Sequence, residues 1–319
     1  MTKFRVVVTD HGFPNLRHEE EILTAMGAEL VVSQCKTPAE VIAAAKDAHA
    51  LLVQWAPVNA EVIAALANCK VIVRYGIGYD NVDIAAAKAR GIAVCNVPDY
   101  GVHEVAEHAV SLAVALTRQL PQIDARLRGG KWKITPDRPM PSLREMTFAT
   151  AGFGRIARSA HHMIRGFGSK RIAYDPFVPA DIMAMEGVEK VERDDLFTRA
   201  DILSLHLPLT AETKHFVSAS RLTEMKKTAI IVNTARGPLV DTVALAAALT
   251  AGAIGGAGLD VFEQEPLPAD HPLIKAPCSI ITSHVAWYSE SSIPRLQHLA
   301  GEEVARGLRG EPLKNQVNK

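Results

Sequence analysis

The sequence predicts an α/β fold of two Rossmann-like, doubly wound parallel-sheet domains with a cleft between them. Uniformly apolar runs alternate with helix-period segments along nearly all of the 319 residues. Strands apolar on both faces belong in a parallel sheet covered by helices. The alternation itself places the chain in the α/β class, and a chain of this length usually forms two cores. With 35 basic and 35 acidic residues the net charge is zero, which argues against nucleic-acid or membrane-surface partners.

The first strand-like runs are Phe4–Thr9, Glu29–Val32, Leu51–Gln54, Lys70–Arg74 and Ile92–Cys95, with helical patterns around Leu16–Met26, Pro38–Ala48, Ala60–Ala67 and Asp83–Ala89. The turn cluster Asn96–Gly101 breaks the series ahead of a long helix near Tyr100–Leu120. On that helix Ala109, Leu112, Ala113, Leu116 and Leu120 share one face. A loop follows at Gly129–Ser142. The second series is Thr147–Ala151, Arg171–Tyr174, Asp201–Leu205, Ala229–Asn233, Gly255–Leu259 and Ser279–Thr282.

The uncharged run Thr242–Leu259 contains four glycines, Gly252, Gly255, Gly256 and Gly258, so it reads as helix, turn and strand rather than a membrane span. The strand pattern from Phe4 leaves no room for a signal peptide. The four cysteines show no metal-ligand spacing and read as free thiols. A cytoplasmic protein without a metal site is therefore expected.

The strand Thr147–Ala151 runs into Gly152-Phe153-Gly154-Arg155-Ile156-Ala157, a G-x-G-x-x-A pattern opening a helix. Gly152 suits the tight turn and Gly154 admits a pyrophosphate, while the amides of Arg155 and Ile156 point at it from the helix N-terminus. The next strand ends in Asp175, 23 residues after Gly152. An acid there accepts from the ribose hydroxyls and repels a 2′-phosphate, which favours NAD over NADP. His161-His162 on the fingerprint helix is expected at its surface. His206, at a strand end, is a candidate for the cofactor cleft.

Three later strands each end in polar groups: Asn233-Thr234-Ala235-Arg236, then Asp260 through Glu265, then Thr282-Ser283-His284. Ligands of open α/β sheets bind at the carboxyl ends of the strands, so Arg236, Glu265 and His284 are expected to converge there. Singly, Arg236 could pair with Asp241, Glu265 could be a loop acid, and His284 is one of 12 histidines. Their joint spacing carries the assignment.

With Val73-Arg74-Tyr75-Gly76-Ile77-Gly78-Tyr79-Asp80-Asn81-Val82-Asp83 and the glycine fingerprint, these segments make the chain resemble the D-isomer-specific 2-hydroxyacid dehydrogenases over essentially its full length. The ending His284–Glu290 with Leu313–Lys319 is similar to their C-terminal-binding-protein branch. The resemblance implies Arg236, Glu265 and His284 as catalytic residues and Gly76-Ile77 as the loop receiving the substrate carboxylate. It adds Leu207, Thr213, Thr234, Ala235 and a nicotinamide-facing Asp260 to the cofactor contacts. Ala157 replaces a third glycine, Thr150 sets a hydroxyl in an apolar strand, and Val102 stands where Ser or Thr is frequent.

The implied reaction is reversible hydride transfer between NAD(H) and a small-molecule 2-oxo or 2-hydroxy acid. Histidine suits the proton transfer, a carboxylate beside it orients the ring, and arginine grips oxygens with a rigid fork. Trp287, Gln54-Trp55 and Arg74-Tyr75 are candidate pocket walls, with Arg74 able to hold a second anionic group. The NAD-binding domain, residues 100–284, would be inserted into a substrate domain formed by residues 1–99 and 285–319. A homodimer is expected through the inserted domain and the apolar face of the Tyr100–Leu120 helix. With no regulatory extension after Lys319, amino-acid feedback is not expected. The rival is an NAD(H)-sensing corepressor-like scaffold with little turnover; a second enzyme alternative acts on formate or phosphite.

Overall fold

A computed structural model describes residues 4–319; the first three residues, assigned above to the substrate domain, lie outside the described ones. The chain divides into two compact units, one running to Gly101 and resuming at Tyr288–Lys319, the other Val102–Trp287.

In the first unit five strands, β1 (Arg5–Val8), β2 (Glu29–Val32), β3 (Ala50–Val53), β4 (Val71–Arg74) and β5 (Ala93–Cys95), form a parallel sheet in the order β2-β1-β3-β4-β5. Its helices start where side chains cap them: Thr37 forms a capping box with Glu40, Asn59 accepts from Val62 N and Asp83 from Ala86 N. Each such cap contributes about 1 kcal/mol. The long helix Ser292–Arg309 buries Ile293, Leu296, Ala300, Val304 and Leu308, packing against the helix Arg17–Ala25 and against β3 and β4. That three- and four-residue spacing is the stripe an amphipathic helix needs.

The second unit holds β6 (Thr147–Ala151), β7 (Lys170–Tyr174), β8 (Glu189–Lys190), β9 (Ile202–Leu205), β10 (Ile230–Asn233), β11 (Gly256–Leu259) and β12 (Ser279–Ile281). Their order is β12-β11-β10-β9-β6-β7-β8, all parallel. The order reverses between β6 and β9, the switch point at which doubly wound sheets open a crevice. β8 is two charged residues long, so no apolar run marks it in the sequence.

The helix Val102–Thr117 buries Ala109, Leu112, Ala113 and Leu116 against β10, β11 and the helix Arg155–Ile164. Its apolar face is therefore part of its own unit's core and not a surface for a partner. Gln119 adopts φ 50 and starts a second helix, Leu120–Arg128, which leaves Leu120 exposed rather than on the buried face. The run Thr242–Leu259 resolves into the helix Thr242–Thr250, a turn and β11. Among the described residues no helix is long and apolar enough to cross a membrane.

Candidate active site

The loop leaving β6 sits at the switch point. Gly152 has φ 94, and a β-carbon there would lie 2.6 Å from His206 O at the end of β9. Only glycine combines that backbone with that approach. The turn is held on every side: Gly152 N donates to Tyr174 O (2.8 Å), Phe153 N to Asp175 Oδ2 (2.8 Å), and Thr150 Oγ1 to Gly152 O (2.8 Å). Gly154 is the N-cap of the helix Arg155–Ile164, no side chain caps it, and the space at its Cα is open. The first amides of any helix lack an intrahelical acceptor, so a helix start that no side chain caps suits an anion.

Asp175 serves two neighbours at once. Its Oδ2 holds the glycine loop, and its Oδ1 accepts from Phe177 N at 2.9 Å. At the end of β9, Thr213 Oγ1 donates to Pro208 O at 2.7 Å and accepts from Thr210 N at 2.7 Å, which closes the loop that begins at Leu207. Thr234, just past β10, is 7% exposed and its Oγ1 has no hydrogen-bond partner among the described residues. A buried hydroxyl without a partner costs about 1–3 kcal/mol. The uncapped helix start and this unpartnered hydroxyl fit a dinucleotide.

Arg236, Glu265 and His284 follow β10, β11 and β12, three neighbouring strands. Asn233 staples the first loop, donating Nδ2 to Arg236 O (2.8 Å) and accepting from Ala235 N (3.0 Å). The Arg236 guanidinium donates to Ala235 O at 2.7 Å, and Asp241 caps the helix Thr242–Thr250, accepting from Ala244 N. A β-carbon on Gly237 would fall 1.9 Å from the carbonyl carbon of Phe262, so the β10 and β11 loops touch backbone to backbone. Glu265 Oε1 accepts from Phe262 N (2.9 Å), and its Oε2 lies 2.6 Å from His284 Nδ1. An ionised carboxylate only accepts, so Nδ1 carries the proton of that bond.

His284 has φ 56, a conformation costly for a residue with a β-carbon. The strands and Asp260 enforce it. His284 N donates to Asp260 O (2.8 Å), while the fully buried Asp260 carboxylate accepts from Thr282 Oγ1, Val285 N (2.9 Å) and Ala286 N (2.9 Å). Asp260, implied as a nicotinamide contact, thus acts locally as the anchor of the histidine loop. His108 Nε2 stands 3.1 Å from Thr282 Oγ1, and Trp287 Nε1 donates to His284 O at 2.8 Å.

In the first unit, the carbonyls of Gly76 and Ile77 accept from Val97 N (2.9 Å) and Asn96 Nδ2 (2.7 Å). In a trans peptide the N–H opposes the C=O, so the amides of Ile77 and Gly78 point the other way, as a carboxylate cradle requires. The Arg74 guanidinium is 5.4 Å from the ring centroid of the half-exposed Trp55. Gln54 and Tyr75, expected as pocket walls, turn inward. Gln54 Oε1 accepts from Gly12 N, and buried Tyr75 donates to Glu19 Oε1 (2.7 Å).

His161 is buried and not at the helix surface as expected, with its Nε2 3.0 Å from Thr150 Oγ1 on β6. Burial lowers His161 to about 3. Asn233 and Thr282 stand among the strand-end polar groups seen in the sequence, but their roles as loop staples depend on partners that only the structure supplies.

Fold and loops together define a two-unit α/β protein with a dinucleotide-type switch point and an Arg–Glu–His set on three adjacent strands. The sequence model of the family described as "D-isomer specific 2-hydroxyacid dehydrogenase, NAD binding domain" matches residues 110–286. The chain is 42% identical over 287 residues to D-3-phosphoglycerate dehydrogenase of Mycobacterium tuberculosis, covering 88% of this chain and 53% of that protein. It therefore spans about half the length of that relative. It is 38% identical over 283 residues to glyoxylate reductase of Korarchaeum cryptofilum, covering 87% of this chain and 85% of that one. D-lactate dehydrogenase from Aquifex aeolicus, complexed with NAD and lactic acid, superposes with a TM-score of 0.90 at 27% identity, covering 98% of this chain and 99% of that chain. The chain belongs to the D-isomer specific 2-hydroxyacid dehydrogenase family.

Proposed function

We propose that the protein is an NAD(H)-dependent D-2-hydroxyacid dehydrogenase that interconverts a 2-hydroxy acid and its 2-oxo acid. The observation that carries this reading is the 2.6 Å contact between Glu265 Oε2 and His284 Nδ1, which fixes the tautomer of an acid–base histidine. A bound nicotinamide supplies or takes the hydride at the substrate's second carbon. His284 Nε2 gives the proton to the carbonyl oxygen during reduction and takes it back during oxidation. Arg236 steadies the carboxylate and the carbonyl oxygen with its fork of donors, while Gly76 and Ile77 receive the carboxylate.

The glycine loop, Arg155, Ile156, Leu207, Thr213, Thr234 and Ala235 serve the cofactor. Asp175 takes the ribose and favours NAD, and Asp260 serves through the loop it anchors. Trp287 faces the substrate side chain, and Arg74 suits a second anionic group. We place the protein in the cytoplasm, as a homodimer paired through its second unit. The support for pairing is a run of exposed apolar side chains after the long helix: Leu120, Leu127, Trp132 (81% exposed) and Ile134 (90%).

The test follows NADH absorbance with glyoxylate, hydroxypyruvate, branched and aromatic 2-oxo acids, and phosphorylated or sulfonated analogues. Turnover with one class supports the reading. NADH binding without turnover on the whole panel would replace it with the sensor scaffold.

A further inference from the structure

Beneath the glycine loop lies a cluster of polar side chains that the reaction above does not use. Thr150 on β6 and Ser204 on β9 are register partners in adjacent parallel strands, and both are fully buried. Ser204 Oγ is 2.9 Å from His206 Nε2, and Thr150 Oγ1 is 3.0 Å from His161 Nε2. Burial takes His161 to about 3 and His206 to about 4, so both rings are neutral near neutral pH.

The proton inventory of the Thr150 hydroxyl is closed. Its one hydrogen goes to Gly152 O, which can only accept. Toward His161 the hydroxyl must therefore accept, so the ring carries its proton on Nε2. His161 Nδ1 is buried without a hydrogen-bond partner among the described residues. A relay results, from His161 Nε2–H to Thr150 Oγ1–H to the Gly152 carbonyl. That carbonyl belongs to the peptide leading into Phe153, whose N–H must oppose it and does so on Asp175. A β-carbon on Gly152 would lie 2.6 Å from His206 O, so the end of β9 packs closely on this turn. The turn is clamped between two strands by groups outside the glycine motif.

Resting on the dinucleotide reading above, we propose that Thr150 and His161 are positioning residues for the cofactor's pyrophosphate. They fix the Gly152 peptide plane, and so the direction in which the amides of residues 154–156 present themselves. A buried polar pair in the core of a parallel sheet is expensive unless fully used, and a valine at 150 would fill the same space without that cost.

The experiment titrates NADH by fluorescence into wild type, Thr150→Val and Thr150→Ser, with kcat at saturating NADH recorded alongside. The expected result is about a tenfold rise in Kd and KM for NADH in the valine variant, kcat within about twofold, and recovery in the serine variant. Unchanged NADH affinity in the valine variant, or a loss that serine does not recover, overturns the proposal. Wild type that binds no NADH overturns the cofactor reading and this proposal with it. Nitrogen NMR of the histidine rings needs no variant: an Nε2–H tautomer for His161 supports the relay, and an Nδ1–H tautomer overturns it.

Discussion

Gly237 and Phe262 meet so closely that a β-carbon on the first would lie 1.9 Å from the carbonyl carbon of the second. This contact ties the loop carrying Arg236 to the loop carrying Glu265. No side-chain rearrangement relieves it, because the obstacle is backbone. Gly237→Ala is expected to separate the two loops and lower kcat/KM about a hundredfold, while NADH affinity changes much less. Steady-state kinetics beside an NADH titration check this; wild-type kcat/KM in the variant would contradict it.

The histidine and its carboxylate are separable by substitution. His284→Ala is expected to lower kcat about 10²–10⁴-fold, the usual scale for a general acid–base, with NADH affinity held within about twofold. Glu265→Gln keeps an oxygen for the Nδ1 hydrogen but loses the charge, and an intermediate loss is expected. Equal collapse of cofactor binding in His284→Ala would speak against its acid–base role.

Asp175 accepts from Phe153 N, and the proposed function also gives it the ribose. Asp175→Ala is therefore expected to do two things: weaken NADH binding and narrow the preference for NAD over NADP. The ratio of kcat/KM for the two cofactors reads the second effect apart from the first. A ratio unchanged from wild type would remove the residue from cofactor selection.

Acid stability follows from the buried histidines. Burial holds His161 at about 3 and His206 at about 4, both below the ordinary histidine value of 6.5. Between those values and 6.5 the unfolded chain binds protons that the native chain does not, so stability falls as the pH drops through that window. Melting temperature is expected to decline from about pH 6.5 toward about pH 4, and less steeply in His161→Phe. Parallel declines in the two proteins would contradict the assignment to this ring.

Much of this architecture is legible because its signals are local. Continuous apolar runs such as Leu51–Val53 and Ile230–Val232 mark strands wherever they occur, and glycine turns and carboxylate caps mark the joints. The polar groups on β10, β11 and β12 stand out because each follows such a run. What stays hidden depends on partners far away in sequence. Tyr75 resembles a pocket wall, yet its hydroxyl belongs to Glu19, 56 residues earlier. His161 resembles a surface residue because nothing near it in sequence points to its strand partner, Thr150. The two-residue strand β8 has too little length for any periodicity. Leu120 continues the apolar spacing of the core face, and nothing local announces the left-handed turn at Gln119.

The strand order of the second unit makes its sheet a ruler. From β7, which ends just before Asp175, to β12, which precedes His284, the sheet counts β7-β6-β9-β10-β11-β12. At about 4.8 Å per step, those two ends lie roughly 24 Å apart. Side-chain substitutions can alter what is recognised at either end of this span. The span itself is set by the number of strands, so it changes only if a strand is gained or lost.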